Sequence, residues 1–263
     1  MAYTAADVKR LRELTDAPMM ECKAALDEAN GDFERAKEIL REKGKAAAGK
    51  KAGRATGAGV VAIATNGQTA AGVVLECETD FVSRNEDFVA MAQQAAEALL
   101  KDENADLSGF ATEAVAKFRE NAKIGKTVRV RAEGPLASYV HHDRTKGAIV
   151  AGRDIQNSDA LRKVAIQVVA STPEVVSKDQ LSQEKLNQEL EIETRRAMEE
   201  GKPENIAKNI AQGRVNKEFI KRAVLLEQPF YVDANKTVAQ FLAEEAKGGG
   251  IEKFEYLAVG QTE

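Results

Sequence analysis

The sequence predicts an α+β chain in which a small helical module precedes a core of two related antiparallel-sheet-plus-helix halves. Three observations predict it: short helical stripes with clear stop signals over residues 4–43, two hairpin-like β patterns each followed by a helix pattern, and a charged helical stretch at about 177–222 that interrupts the second. The expected divisions are a three-helix module at 1–43, a linker at 44–56, one half of the core at 57–133 and the other at 134–263, with a helical hairpin inserted at about 177–222.

Taken in order, Thr4-x-x-Asp7 has capping-box spacing, and Val8, Leu11 and Leu14 follow as an apolar stripe. Met19, Cys22 and Leu26 give a second stripe that stops at Asn30-Gly31, and Asp32 then caps a third carrying Phe33, Ala36, Ile39 and Leu40. Three helices this short leave a small core, so a face should remain for a partner. Adjacent residues cannot share one helical stripe, so one of Met19 and Met20 is expected to be the more exposed. From 41 to 54 the chain turns Ala/Gly/Lys-rich, with Arg41, Lys43, Lys45, Lys50, Lys51 and Arg54 against a single acid, Glu42. That composition predicts a linker. A nucleic-acid arm is the weaker reading, because the stretch has no aromatics and the whole chain is acidic.

Residues 59–77 hold two β-rich runs around Asn66-Gly67, a strong hairpin-turn pair. The second run leads into Glu76-Cys77-Glu78-Thr79-Asp80-Phe81-Val82, the corner on which the chain turns. Ser83-x-x-Glu86 has capping-box spacing, and Phe88, Met91, Ala92, Ala95 and Leu99 recur helically, so a helix is expected just after Val82. Phe81 falls in the joint, outside both patterns; most loop aromatics fold inward, which would leave Asp80 to help cap the helix. A second helix is expected at 112–123 and a strand at 127–131. The layout then recurs, with a hairpin from 137–140 and 148–151 and a helix over Ser158–Ser171. Leu186, Leu190 and Ala197 lie on a charged helix that stops at Gly201-Lys202-Pro203, and Ile206 and Ile210 begin another. This hairpin is a candidate homodimer face, although a solvated charged face is the ordinary outcome. A helix at 238–246 and a strand at 254–259 complete the core.

Composition narrows the function. A net charge of −4, a pI near 5.6 and 5% aromatics without Trp give no nucleic-acid footprint. Cys22 and Cys77 are too far apart for a metal knuckle and suit a reducing compartment. The start at Met1-Ala2-Tyr3 lacks a leader pattern and no run is long enough for a membrane span, so a soluble, cytoplasmic chain is expected. Gly125-Lys126-Thr127 has the last letters of a phosphate-binding loop, but Glu120 stands where that motif needs glycine and a strand follows where it needs a helix. His141-His142 cannot both point into one site on a strand. No catalytic triad, zincin helix or dinucleotide turn is present, so an enzyme, a metal centre and a bound cofactor are all unexpected.

Leu11-Arg12-Glu13-Leu14-Thr15, Met19 through Leu26 and Ala29-Asn30-Gly31-Asp32 resemble the amino-terminal module of the bacterial elongation factor Ts family. So does Glu78-Thr79-Asp80-Phe81-Val82 with Arg84-Asn85, the family's signature loop. Asn121 through Gly125, Ser138-Tyr139-Val140-His141, Gly201-Lys202-Pro203 and Leu226-x-Gln228-Pro229-Phe230 extend the likeness over nearly the whole length. The resemblance implies a guanine-nucleotide exchange factor for elongation factor Tu, without covalent chemistry, acting on the partner's GDP and Mg2+. It implies a ubiquitin-associated-like (UBA-like) fold for the module, which grips the partner's G domain. It also implies that Asp80 and Phe81 intrude near the partner's magnesium, with Thr79 and Val82 completing the loop and Met19, Met20, Ile124, Gly125 and His141 as supporting contacts. Two departures matter: Lys126-Thr127 replaces the more usual Glu-Asn, and with Glu263 as the last residue of this sequence, contacts from the further helical module of some members are not expected. The rival from another class is a helical-module adaptor whose core is a scaffold.

Overall fold

A computed structural model describes residues 3–15, 17–155, 157–246 and 249–261, with the side chains of Lys45 and Ala47 outside the description. Met1-Ala2 and Thr262-Glu263, on which the readings of leader and tail fall, lie outside the described residues. Helix α1 (Ala5–Thr15) opens on a reciprocal cap: the Thr4 amide donates to Asp7 at 2.7 Å, and the Asp7 amide donates to the Thr4 hydroxyl at 3.3 Å. Helix α2 (Met19–Glu28) is followed by Asn30 and Gly31 in the left-handed region, φ 52° and 86°. Helix α3 (Phe33–Lys51) starts at Asp32, whose carboxylate accepts the Arg35 amide at 3.0 Å. Leu11, Cys22, Leu26, Ala36, Ile39 and Leu40 form the core that these three helices share.

One sequence expectation fails here. Most of the stretch that composition marks as a linker is the last two turns of α3, and only residues 52–57 join it to the first strand. Ala and Lys are good helix formers, and this end of α3 gains a packing partner that local composition does not reveal.

Strands β1 (Ala58–Thr65) and β2 (Thr69–Cys77) pair across Asn66-Gly67, with Gly67 at φ 95° and the Asn66 side-chain Oδ1 accepting the Thr69 amide at 2.9 Å. The helix expected after Val82 is instead two pieces, a single turn α4 (Asp80–Ser83) and a long helix α5 (Glu86–Lys101). Asn85, not Ser83, caps α5, accepting the Asp87 amide at 2.9 Å. Helix α6 (Ser108–Phe118) ends earlier than expected because Arg119 turns left-handed at φ 61°; β3 (Ala122–Arg131) follows and pairs antiparallel with β2.

The chain continues through β4 (Leu136–Val140), β5 (Lys146–Arg153) and α7 (Ser158–Ser171), then an antiparallel pair α8 (Gln183–Glu199) and α9 (Glu204–Arg214). A π-helical turn at Val215–Phe219 leads to α10 (Ile220–Ala223), a small ladder β6 (Pro229–Phe230) and β7 (Asp233–Thr237), α11 (Val238–Glu245) and β8 (Gly250–Ala258). The sheets run β1-β2-β3 and β4-β5-β8, all antiparallel.

Alternation along the strands explains how the two sheets meet. Val60, Ala62, Val73 and Leu75 share a core with Phe88, Met91 and Ala95 of α5. Their neighbours Val61 and Val74 instead pack with Leu257 of β8, and Ala70 and Val130 pack with Ile149 and Ala151 of β5. The outer face of the second sheet, through Ala148 and Val150, packs on Leu161, Val164 and Val168 of α7 and on Phe241 of α11. The result is two sheets face to face, each covered outside by helices, with β2 buried at every position.

Candidate functional site

The site stands where β2 leaves the first sheet. Cys77 pairs with Ala58 on one side and Ala122 on the other, so β1 begins, β2 ends and β3 begins at this end. Beyond it, Thr79 is extended (φ −127°) and the chain closes one turn, the Ser83 amide donating to Thr79 O at 3.2 Å and the Arg84 amide to Asp80 O at 3.1 Å. Val82 packs back on the α5 core, whereas Phe81 is 85% exposed. The ordinary expectation that Phe81 folds inward is therefore overturned: in a four-residue turn anchored through Val82, the ring points away from the core. Asp80 does not cap α5 either; it pairs with Arg84 at 3.0 Å on an exposed surface.

The base of the turn is held from the corner between α6 and β3. The Thr79 amide donates to Glu120 Oε2 at 2.9 Å and its hydroxyl to Oε1 at 2.6 Å. Next to it, the Asn121 amide donates to Glu78 at 2.6 Å, and the buried Asn121 side chain donates to Arg54 O at 2.7 Å. The Asn121 amide, with Arg54 behind it, holds the Glu78 carboxyl below its ordinary value. The Cys77 thiol donates to Thr79 O at 3.2 Å, and burial, with Glu120 near, pushes its pKa up to about 12. It stays a neutral thiol and an inert part of the bracket.

The same corner reaches the helical module. Arg119 forms an ion pair with Glu21 in α2, and Lys51 at the end of α3 donates to Arg119 O. Met19 and Met20, beside Glu21, are 42% and 72% exposed, so both Met side chains are available at the start of α2, Met20 the more so. A single corner thus joins the Met pair to the Phe81 turn.

Ile124 pairs opposite Leu75 and packs half-buried on the α5 core. Gly125 and Lys126 fall in a β-bulge, the register shifting between Val73 and Leu75. Lys126 donates to Tyr256 O at 2.8 Å, so the Gly125-Lys126-Thr127 run lies in a strand with its ammonium turned to β8, not toward a phosphate. His141 stands beyond the end of β4, in the turn to β5, with its Nδ1 3.0 Å from the Tyr139 hydroxyl. The strand argument that separated the two histidines does not apply there, and their rings lie 4.3 Å apart. That turn shares the site's end of the molecule: the Val259 amide donates to Thr145 O at 2.9 Å, and the Gly260 amide to buried Glu76 at 3.0 Å.

Sequence reasoning gave no role to Glu120, Asn121, Arg119 or Glu21, whose contacts span up to a hundred positions; Asn121 and Glu21 entered only within runs that carry the family likeness, and Glu120 only as a misfit in a phosphate-loop pattern. Among the described residues no cluster of three or more His, Cys, Asp or Glu is grouped to hold a metal ion, and no helix is long and apolar enough to cross a membrane.

The site is thus an exposed aromatic on a turn braced from the α6–β3 corner, and comparison with known proteins shows the family that carries it. Residues 78–261 match the family model described as elongation factor TS. The chain belongs to the elongation factor Ts family. Relatives named elongation factor Ts include one from Thiobacillus denitrificans, 40% identical over 98% of this chain and 92% of that protein. Another, from Vibrio cholerae, is 42% identical over 99% and 93%, and one from Aquifex aeolicus is 38% identical over 97% of both. The elongation factor Ts model begins at Glu78, so it takes in the corner, β3 and the whole second sheet, while the relatives extend the match over α1 to α3, β1 and β2.

Proposed function

We propose that the chain is a guanine-nucleotide exchange factor that binds elongation factor Tu with GDP and promotes GDP release, so that GTP can bind during translation elongation. The observation that carries this reading is Phe81, 85% exposed beside the Asp80 carboxylate on a turn clamped at its base. Membership of the elongation factor Ts family supports the stage and the partner.

The partner's GDP is held partly by an Mg2+ ion with a demanding octahedral shell. Phe81 inserts its ring between elements of the partner, and Asp80 leaves Arg84 to disturb the polar network beside the ion. The exposed Asp80–Arg84 pair is cheap to open, at about 0.3–0.5 kcal/mol. Burying one Phe yields about 1.5–3 kcal/mol, and about 1.4 kcal/mol is tenfold, so Phe81 alone accounts for roughly ten- to a hundredfold weakening of nucleotide binding. Met19, Met20, Ile124, Gly125 and His141 supply further contacts, the module in a UBA-like arrangement gripping the G domain. Linkage makes the effect reciprocal: nucleotide weakens this chain's binding by the same factor, which permits turnover without any covalent step or cofactor of the chain's own.

On this reading the two sheet-and-helix halves are related units, the chain works in the cytoplasm without nucleic acid, and the α8–α9 hairpin, with Ile192, Met198 and Ile206 exposed, is the face available for a homodimer. The test is release of labelled GDP from preloaded elongation factor Tu. Small amounts of this chain should accelerate release and turn over many partners; a release rate unchanged at saturating chain would end the proposal.

A further inference from the structure

We infer that Glu120 is a positioning residue for nucleotide exchange: its carboxylate sets the attitude of the Phe81 turn by holding both hydrogen-bond donors of Thr79. The inference rests on the exchange reading above.

Four residues of helix do not persist by themselves, since the first turn fixes several dihedrals for one hydrogen bond. An N-cap side chain ordinarily helps, and Thr79 occupies that position. Its hydroxyl makes no bond to the turn; it points the other way, to Glu120 Oε1, while its amide goes to Oε2. The α4 turn is thus organised from beneath, by a carboxylate 41 positions away. Besides Glu120, the turn has its own backbone bonds, the Ser83 hydroxyl on Asp80 O, the weak thiol bond from Cys77 to Thr79 O, the packing of Val82 and the exposed Asp80–Arg84 pair.

Glu120 is itself fixed from both sides. Arg119, left-handed at φ 61°, ends α6 with its amide on Val115 O and carries the bonds to Glu21 and Lys51. Asn121 follows, its amide on Glu78 and its side chain on Arg54 O. Three consecutive residues therefore contact α2, the α4 turn and the segment before β1. The spacing between Met19-Met20 and Phe81 is set by this tripod, with Glu120 as the leg under the turn.

Chemistry provides a discriminating pair of variants. In Glu120→Gln the amide oxygen still accepts from the Thr79 amide, and the NH2 group donates to the Thr79 hydroxyl, which reverses its role. In Glu120→Ala both contacts are lost. Stimulated GDP release is measured against chain concentration for both, with hydrogen exchange at Ser83 and Arg84 as a readout free of the partner. Glu120→Ala is expected to lower the maximal release rate about tenfold, with the half-saturating concentration within about twofold of the parent, and to speed exchange at both amides. Glu120→Gln is expected to restore both readouts. A parent-like maximal rate in Glu120→Ala, or a Glu120→Gln as slow as Glu120→Ala, overturns the positioning role; the second result would assign the effect to charge. A parent chain that fails to stimulate release overturns the exchange reading itself, and this inference with it.

Discussion

Gly44 in α3 lies against Ala116 in α6, so close that a Cβ added at Gly44 would stand 3.2 Å from the Ala116 Cβ. Only a small side chain lets the two helices approach this way, and the approach makes α3 a spine between module and core.

Gly44→Leu is therefore expected to push the module off α6. Overpacking of this kind costs about 1–3 kcal/mol where it cannot relax; here relaxation means undocking. Partial proteolysis should cut faster within residues 52–57, and the half-saturating concentration for GDP release should rise while the maximal rate changes little. An intact cleavage pattern would show that the helices tolerate the larger side chain.

Phe81→Ala separates recognition from folding. The ring is 85% exposed, and surface substitutions of this kind change stability by about 0.5 kcal/mol or less. The urea midpoint should stay near that of the parent, while stimulated GDP release falls at least about tenfold, the lower share assigned to one buried Phe. A large drop in midpoint would contradict the observed exposure.

The cap of α5 offers a local test. Asn85→Ala removes the acceptor for the Asp87 amide and is expected to cost about 1 kcal/mol in urea unfolding. Ser83→Ala, at the position the capping-box spacing favours, should cost less, because the Ser83 hydroxyl only donates to Asp80 O at 3.2 Å on the surface.

The corner also responds to acid. The Asn121 amide and Arg54 hold the Glu78 carboxyl below its ordinary value of 4.5. A group depressed in the folded state contributes stability above its unfolded pKa, and that contribution is lost as pH falls through the folded value. Glu78→Gln should then be less stable than the parent near neutral pH, with the gap closing as pH falls below 4.5. Urea unfolding of both proteins across that range checks it; a gap that widens toward acid would reverse the assignment.

Local chemistry made much of this fold readable. The Thr4/Asp7 box, the Asn66-Gly67 turn, the Asp32 cap and the bounds of α7 all follow from neighbouring letters, and all are formed. Features decided at long range were not readable. Residues 44–51 are helical because α6 lies alongside, and α6 stops at a left-handed Arg119 where a glycine would have given warning. Phe81 could be marked as a residue belonging to neither flanking pattern, but its outward direction depends on Val82 packing inward and on the Glu120 clamp, neither of which has a sequence period.

Glu76 orders events in time. Its buried carboxylate receives the Thr56 hydroxyl at 2.9 Å and the amide of Gly260, 184 positions later, while Leu257 fills the space between the sheets. As the ribosome extends the chain, the first sheet emerges with one apolar face bare and with Glu76 holding Thr56 and Lys123 but still lacking the Gly260 amide. β5 can cover the Ala70 and Val130 end of that face, but the Val61 and Val74 end stays open until β8 brings Leu257, and that is the interval in which a chaperone has the most to shield.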